Sequence, residues 1–313
     1  MKPLLILLFI LPQLYAEQPE PAEDAPRLQT IDIAGNSYVS LDQIKTTYRV
    51  KKITQGAQGS RILEHDSATI QLTPNSHNAI INGVKFLTAH PVRQQGQQHY
   101  LSSHDLATLI DPMLRPANKP MKVFQTVILD AGHGGEDQGA AGKESKQTLK
   151  LAKMVQGQLE KHGMQVVMTR EKDVFVPLQQ RVKLANRQEH AIFVSLHFNG
   201  GPKQAQGLET YILSTRRPQG AQNTHPASLA LAAAVHSRAL LFVKPIYAIN
   251  DRGIRHARFN ILTHCQHPAI LIEAGFLTHP QEAQVIVRDD YQLNLAQAVT
   301  RGILAYRKTL QEE

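Results

Sequence analysis

Apolar positions along the chain change their rhythm three times. From Leu4 to Leu11 they run unbroken behind the positive start Met1-Lys2, and the run closes at Leu14-Tyr15-Ala16. An apolar core too brief to span a bilayer, ending at a small residue, predicts a secretory signal over residues 1–16. Residues 17–26, EQPEPAEDAP, are acidic and proline-rich, which predicts a flexible lead-in. Over residues 27–115 short β-prone runs such as TIQL and AIINGVKFL alternate with turn residues. Asn82-Gly83 predicts a type I′ hairpin, because both of its central positions need positive φ. Two stretches echo each other: YVSLDQI from Tyr38 and YLSSHDL from Tyr100 each pass from a strand-like start through serine into a helix-like segment. Ser40 with Gln43 fits a capping box, and Ser102 with Asp105 fits it more loosely. The region reads as a small α+β domain, and RPANKP, with its two prolines, sets a linker over residues 116–121.

From residue 122 to 313 the rhythm becomes one of strands alternating with helices. TVILD is a continuous apolar run, as expected of a strand buried on both faces. Leu149, Ala152, Val155 and Leu159 mark one face of a helix that should stop at Gly163. QVVMTR, AIFVSLH, LETYIL and AILIE predict further strands. Helices are predicted over residues 178–190, 227–242 and 292–308. The fold class is therefore α/β, a mostly parallel or mixed sheet with helices on both faces, preceded by the small α+β domain. No second apolar stretch is read as reaching transmembrane length, so no transmembrane segment is expected after signal cleavage.

Composition narrows this picture. Hydrophobic residues at 42% and charged residues at 19% describe a globular chain. A single cysteine, Cys265, excludes an intramolecular disulfide and reads as a small buried hydrophobe. The net charge of +8 favours an anionic partner. Its basic residues are scattered and aromatics make up only 5%, so no stacking stripe is evident and nucleic acid is not the expected partner. His65, His77, His90, His99 and His104 show no metal-ligand spacing and are read as surface residues.

The chemistry concentrates after TVILD, in the glycine-rich stretch AGHGGEDQGAAGKES. A phosphate loop needs a glycine five positions before its Gly-Lys pair and a hydroxyl residue after it. Asp137 and Glu144 hold those places, which excludes nucleotide binding. His133 follows one predicted strand, His197 ends a second and Glu273 ends a third, while Glu144 opens the helix after the first. In an open α/β sheet such strand ends share one crevice. Two imidazoles with a carboxylate make a catalytic zinc set, and the other carboxylate is then free to act as a general base. Glu273 interrupts an apolar strand, where an unpaired carboxylate is costly. His190, His225, His236, His256, His264, His267 and His279 are read as structural.

Five blocks in order, ILDAGHGGEDQGAAGKE, RVKLANRQEHAIFVSLHFNG, GLETYIL, DRGIRHARFNIL and PAILIEAGFLTHPQEA, resemble the zinc-dependent N-acetylmuramoyl-L-alanine amidases of bacterial cell walls, the type 3 amidase family. The resemblance runs from about Val123 to the C-terminus. It implies His133, Glu144 and His197 as Zn2+ ligands, Glu273 as the catalytic glutamate, and peptidoglycan as substrate, cut between N-acetylmuramic acid and L-alanine. Asn199, two positions past His197, is a candidate substrate-binding residue. The alternatives are a zinc peptidase cutting within the stem peptide, or a non-catalytic wall-binding protein on the same scaffold. The N-terminal region more loosely resembles the copper amine oxidase N-terminal-like domain, without a copper ligand set, and so implies a stalk or binding module.

Ala131 and Ser145 depart from the family pattern, standing where proline and lysine are commoner. The interval from Asn199 to Arg252 has no room for the long helical plug of some members, so no activator protein is expected. Export to the periplasm or cell envelope is the expected location.

Overall fold

The two echoed segments, each turning into a helix at a serine, are neighbours in one sheet. The computed structural model describes residues 28–115, 122–214 and 224–311, so the expected signal, lead-in and linker lie outside the described residues. The chain divides between Met121 and Lys122 into two compact units. In the first, β1 (Ile31–Ile33) and β2 (Asn36–Ser40) lead into α1 (Leu41–Thr47). An antiparallel meander follows, of β3 (Lys52–Gln55), β4 (Arg61–Glu64), β5 (Thr69–Leu72), β6 (Asn78–Ile81) and β7 (Val84–Leu87). β8 (Arg93–Gln95) and β9 (Gln98–Ser102) then run into α2 (Ser103–Asp105), a π turn over Leu106–Ile110 and α3 (Asp111–Leu114).

β2 pairs with β9 so that Tyr38 lies opposite Ser102 and Ser40 opposite Tyr100. Ser40 Oγ accepts from Gln43 N at 3.2 Å and Ser102 Oγ from Asp105 N at 3.0 Å, so both serines cap as the pattern predicts. The first box is not reciprocal, because the Gln43 side chain pairs with the backbone of Gln29. Asn82 (φ 49°) and Gly83 (φ 80°) form the predicted hairpin turn. The unit carries more strand than the expected α+β balance. His99, read as a surface residue, is instead buried at 4% exposure, and burial lowers its pKa.

The second unit follows the alternating pattern. Its strands are β10 (Thr126–Ala131), β11 (Gln165–Met168), β12 (Ala191–Asn199), β13 (Leu208–Leu213), β14 (Asp251–Ala257) and β15 (Ala269–Phe276). They lie in the order β11-β10-β12-β15-β13-β14. The first four are parallel, β13 runs antiparallel to β15, and β14 runs parallel to β13, giving a mixed sheet. Among the described residues its α-helices are α4 (Glu144–Lys161), α5 (Leu178–Ala185), α6 (His225–Val243), α7 (Asn260–His264), α8 (Pro280–Ile286) and α9 (Asp289–Thr309).

Helices α4 and α6 pack on one face of this sheet, and α9 packs against both of them. On the other, α5 and α7 bury Val182, Ala185, Ile261 and Leu262 against Ile128, Phe193, Ala269 and Leu271. Cys265 sits in that same core, fully buried. The cover is short: α5 ends at Ala185 rather than running to residue 190, because Asn186 caps it and His190 takes a positive φ of 47°. The buried stripe of α4 is Thr148, Leu151, Ala152, Val155 and Leu159, and Leu149 is only partly buried.

Helix α6 corrects one sequence expectation. Its length and apolar composition would suffice to cross a membrane, although residues 225–243 were not read that way. Its apolar character serves the interior here: 78% of the helix window is buried, against β13, β15 and α9. A helix that is apolar nearly all round is what a helix between a sheet and a second helix requires.

Candidate metal centre

The parallel register brings the predicted chemistry to one level of the sheet. Ala131 at the end of β10 pairs with Leu196 of β12, and His197 pairs with Glu273 of β15. Beyond β10 the chain turns sharply. His133 takes φ 60°, and Gly134 and Asp137 bond reciprocally through their backbones. The turn sends the His133 side chain back over the strand ends, towards Glu144 at the first position of α4.

Three side chains meet there. His133 Nε2 lies 3.0 Å from Glu144 Oε2, and His197 Nδ1 lies 2.9 Å from Glu144 Oε1. The two imidazole centroids are 5.0 Å apart. One donor atom from each of the three residues lies within 4.8 Å of the other two. Among the described residues this is the one cluster of histidine, cysteine and carboxylate side chains of that kind.

Backbone amides of Ala140 and Phe198 also donate to the Glu144 carboxylate, at 2.8 and 3.1 Å. Burial alone would raise its pKa, but the bonds from His133, His197 and Ala140 outweigh that and bring it down to about 2. His133 Nδ1 faces Asp137 Oδ1 at 2.8 Å. Burial pulls the His133 imidazole down, whereas Glu144 and Asp137 together carry it above its ordinary value.

Two glycines are required by close approach. A Cβ at Gly132 would fall inside the His197 ring, and one at Gly139 would strike both Glu144 and His133. The structure assigns them to clearance, with Gly139 also at a positive φ of 66°.

Buried arginines hold this loop from beneath. Arg181 Nη1 donates to Asp130 Oδ1 and to the carbonyl of Ala131, while its Nη2 donates to the carbonyl of His133. Arg170 donates to the carbonyls of Ala131, Gly132 and Ser145. Asp130, fully inside, also accepts from Thr169 and Ser195. Burial would raise it, yet Arg181 and Ser195 keep it below the ordinary carboxylate range. Ser145, where lysine was the commoner residue, is buried directly beneath the loop beside Arg170.

Glu273 stands beside His197 in the sheet, and its Oε2 is buried without a hydrogen-bond partner. Burial first, then the neighbouring charges of Glu144 and Glu209, push its pKa well above the usual carboxylate value. Asn199 does not present its amide nitrogen freely: Nδ2 donates to Glu209 Oε1 at 2.6 Å. Glu209 was not singled out from sequence, although it interrupts the apolar strand LETYIL just as Glu273 interrupts AILIE. Asp137 and the pair Arg252 and Arg255 were missed as well, since nothing in their local sequence marks them. Of the histidines read as structural, His236 bridges Thr210 and Asp251, and His279 caps α8.

A family model, N-acetylmuramoyl-L-alanine amidase, matches residues 127–305, more than half of the chain. The chain belongs to that family. It is similar to N-acetylmuramoyl-L-alanine amidase AmiA of Salmonella typhimurium, 27% identical over 253 residues, covering 67% of this chain and 86% of that protein. An uncharacterized protein of Bacillus subtilis, YqiI, is 33% identical over 185 residues, covering 58% and 84%. Among solved structures, an N-acetylmuramoyl-L-alanine amidase from Clostridium difficile is 35% identical with a TM-score of 0.52, covering 59% of this chain and 97% of that one. These matches make the second unit an amidase fold and the cluster at its strand ends the place to look for the chemistry.

Proposed function

We propose that the second unit hydrolyses the amide between N-acetylmuramic acid and L-alanine in peptidoglycan, with zinc held by His133, Glu144 and His197 and with Glu273 as general base. The observation that carries this reading is the convergence of three donor atoms within 4.8 Å beside a carboxylate, in register with one of them, whose Oε2 is buried and unpartnered. Two imidazole nitrogens and a carboxylate oxygen suit zinc, leaving a position open for chemistry. A zinc ion held there supplies Lewis acidity, which acidifies water and polarises a carbonyl.

The chain's own residues do the rest. Asp137 accepts from His133 Nδ1, which fixes the tautomer that turns Nε2 inward. Arg181, through the carbonyl of His133, and Arg170, through those of Gly132 and Ser145, fix the loop. Glu273, raised above the ordinary carboxylate range by burial, takes the proton of the attacking water and passes it to the departing alanine nitrogen. Asn199, held by Glu209, contributes its remaining Oδ1 to substrate.

Between Asn199 and Arg252 the described residues supply β13 and α6, and α6 packs against the sheet as part of the interior. That supports activity without an activator. Peptidoglycan places the site of action outside the cytoplasm, in the periplasm or envelope, which agrees with the apolar start of the chain. The test is Glu273→Gln. It should lower turnover on the order of 10²- to 10⁴-fold with zinc content unchanged, the range for loss of a general base. Full activity in that variant would remove Glu273 from the mechanism.

A further inference from the structure

Beside the centre lies a pair of cations that the hydrolytic chemistry does not use. Glu209 Oε2 takes Arg252 Nε at 2.7 Å and Arg255 Nε at 3.1 Å. Its other oxygen is already occupied by Asn199 and by the Tyr211 hydroxyl, at 2.6 and 2.9 Å. Glu209 is therefore saturated, and one carboxylate faces two guanidinium groups. A single arginine would neutralise it, so one positive charge is left over.

The geometry of the pairing also leaves the forks open. Each arginine spends its Nε on Glu209, and the terminal Nη nitrogens of both make no hydrogen bond among the described residues. Both side chains keep about a third of their surface exposed, at 31% and 30%. Arg252 is braced by the Phe276 ring, whose centroid lies 5.0 Å from its guanidinium carbon. Arg255 is set by register, opposite Tyr211 on the neighbouring parallel strand. Glu209 in turn lies directly opposite Glu273. Two orientated, partly desolvated forks thus stand two strands away from the general base, with β13 and its Glu209 between them.

We propose that Arg252 and Arg255 bind a free carboxylate of the substrate's peptide portion, with Glu209 as the residue that positions them. This rests on the amidase reading and extends it to the choice of stem peptide. A planar fork matches a carboxylate through paired N–H donors, which a point charge cannot do. Between consecutive residues an extended peptide advances only about 3.3–3.6 Å. A carboxylate near the cut amide therefore reaches the pair while that amide occupies the metal centre.

The experiment compares two disaccharide-peptides whose second stem residue is D-isoglutamate, with a free carboxylate, or its amidated form, D-isoglutamine. The zinc-loaded protein should cleave the first with a kcat/KM about tenfold higher, the low end of what a charge-assisted bond contributes, given the partial exposure. In Arg255→Gln that ratio should fall towards one, and in Arg255→Lys it should recover in part. A ratio is read within each variant, so a general loss of activity does not imitate the effect. Equal cleavage of both substrates by the wild-type protein, or an unchanged ratio in Arg255→Gln, would overturn the proposal. Failure of the wild type to cut either substrate would instead overturn the amidase reading, and the carboxylate site with it.

Discussion

Glu209 and Glu273 stand directly opposite each other across the antiparallel pair β13–β15, yet their surroundings are opposite in kind. Glu209 is bound by Asn199, Tyr211, Arg252 and Arg255. Glu273 has an oxygen with no partner at all. Two carboxylates in one register thus sit in unlike settings, one held by four partners and the other raised by burial, and a raised carboxylate in such a place is a candidate for acid–base work.

Glu209 is one of the causes that raise Glu273. Replacing Glu209 by glutamine removes that negative charge and leaves Arg252 and Arg255 uncompensated, and both changes favour ionised Glu273. The acidic limb of the pH profile of kcat/KM should therefore move to lower pH. A limb that stays in place or moves upward would show that Glu209 does not set the base.

Gly132→Ala tests the clearance that the His197 ring needs. The added Cβ displaces that ring from Glu144, so zinc affinity should fall on the order of 10- to 100-fold, the scale on which a disturbed ligand setting acts. Competition with a chromogenic chelator reads this without reference to activity. Wild-type affinity in the variant would mean that the ring is not a ligand.

Asp130 supplies a stability prediction with a definite sign. Its folded pKa lies below the ordinary value of 3.8, so it contributes stability that is present above that value and is lost as pH falls through the folded pKa. Part of the fall in Tm on acidification should vanish in Asp130→Asn. At neutral pH the same variant leaves Arg181 buried without its ion pair, costing on the order of 3 kcal/mol. Parallel Tm-against-pH curves for the two proteins would refute this assignment.

The strands and the clustering of His133, Glu144 and His197 were legible in sequence because they follow from local rules. Apolar runs such as TVILD and LETYIL became strands with nearly the predicted limits. His133, His197 and Glu273 could be placed because each sits at or near the end of such a run. β14 was not read as a strand, because DRGIRHA has no apolar alternation and is held by pairing with β13. α7 and α8 are too short to show a helical period. The Glu209 arrangement depends on which residues lie opposite each other across strands distant in sequence. A polar residue inside an apolar run was the one local signal, and it had been used for Glu273 alone. Ser145 is similar: the sequence marked the departure from lysine, and burial next to Arg170 shows where it lies.

The central claim is the identity of the bond that is cut, and product mass tests it most directly. Purified sacculi are digested with the zinc-loaded protein and the released fragments are weighed. The account predicts intact stem peptides carrying a free N-terminal alanine, together with glycan strands that retain their lactyl groups. Release of shortened peptides, with alanine still attached to the glycan, would contradict it and identify a peptidase acting within the stem.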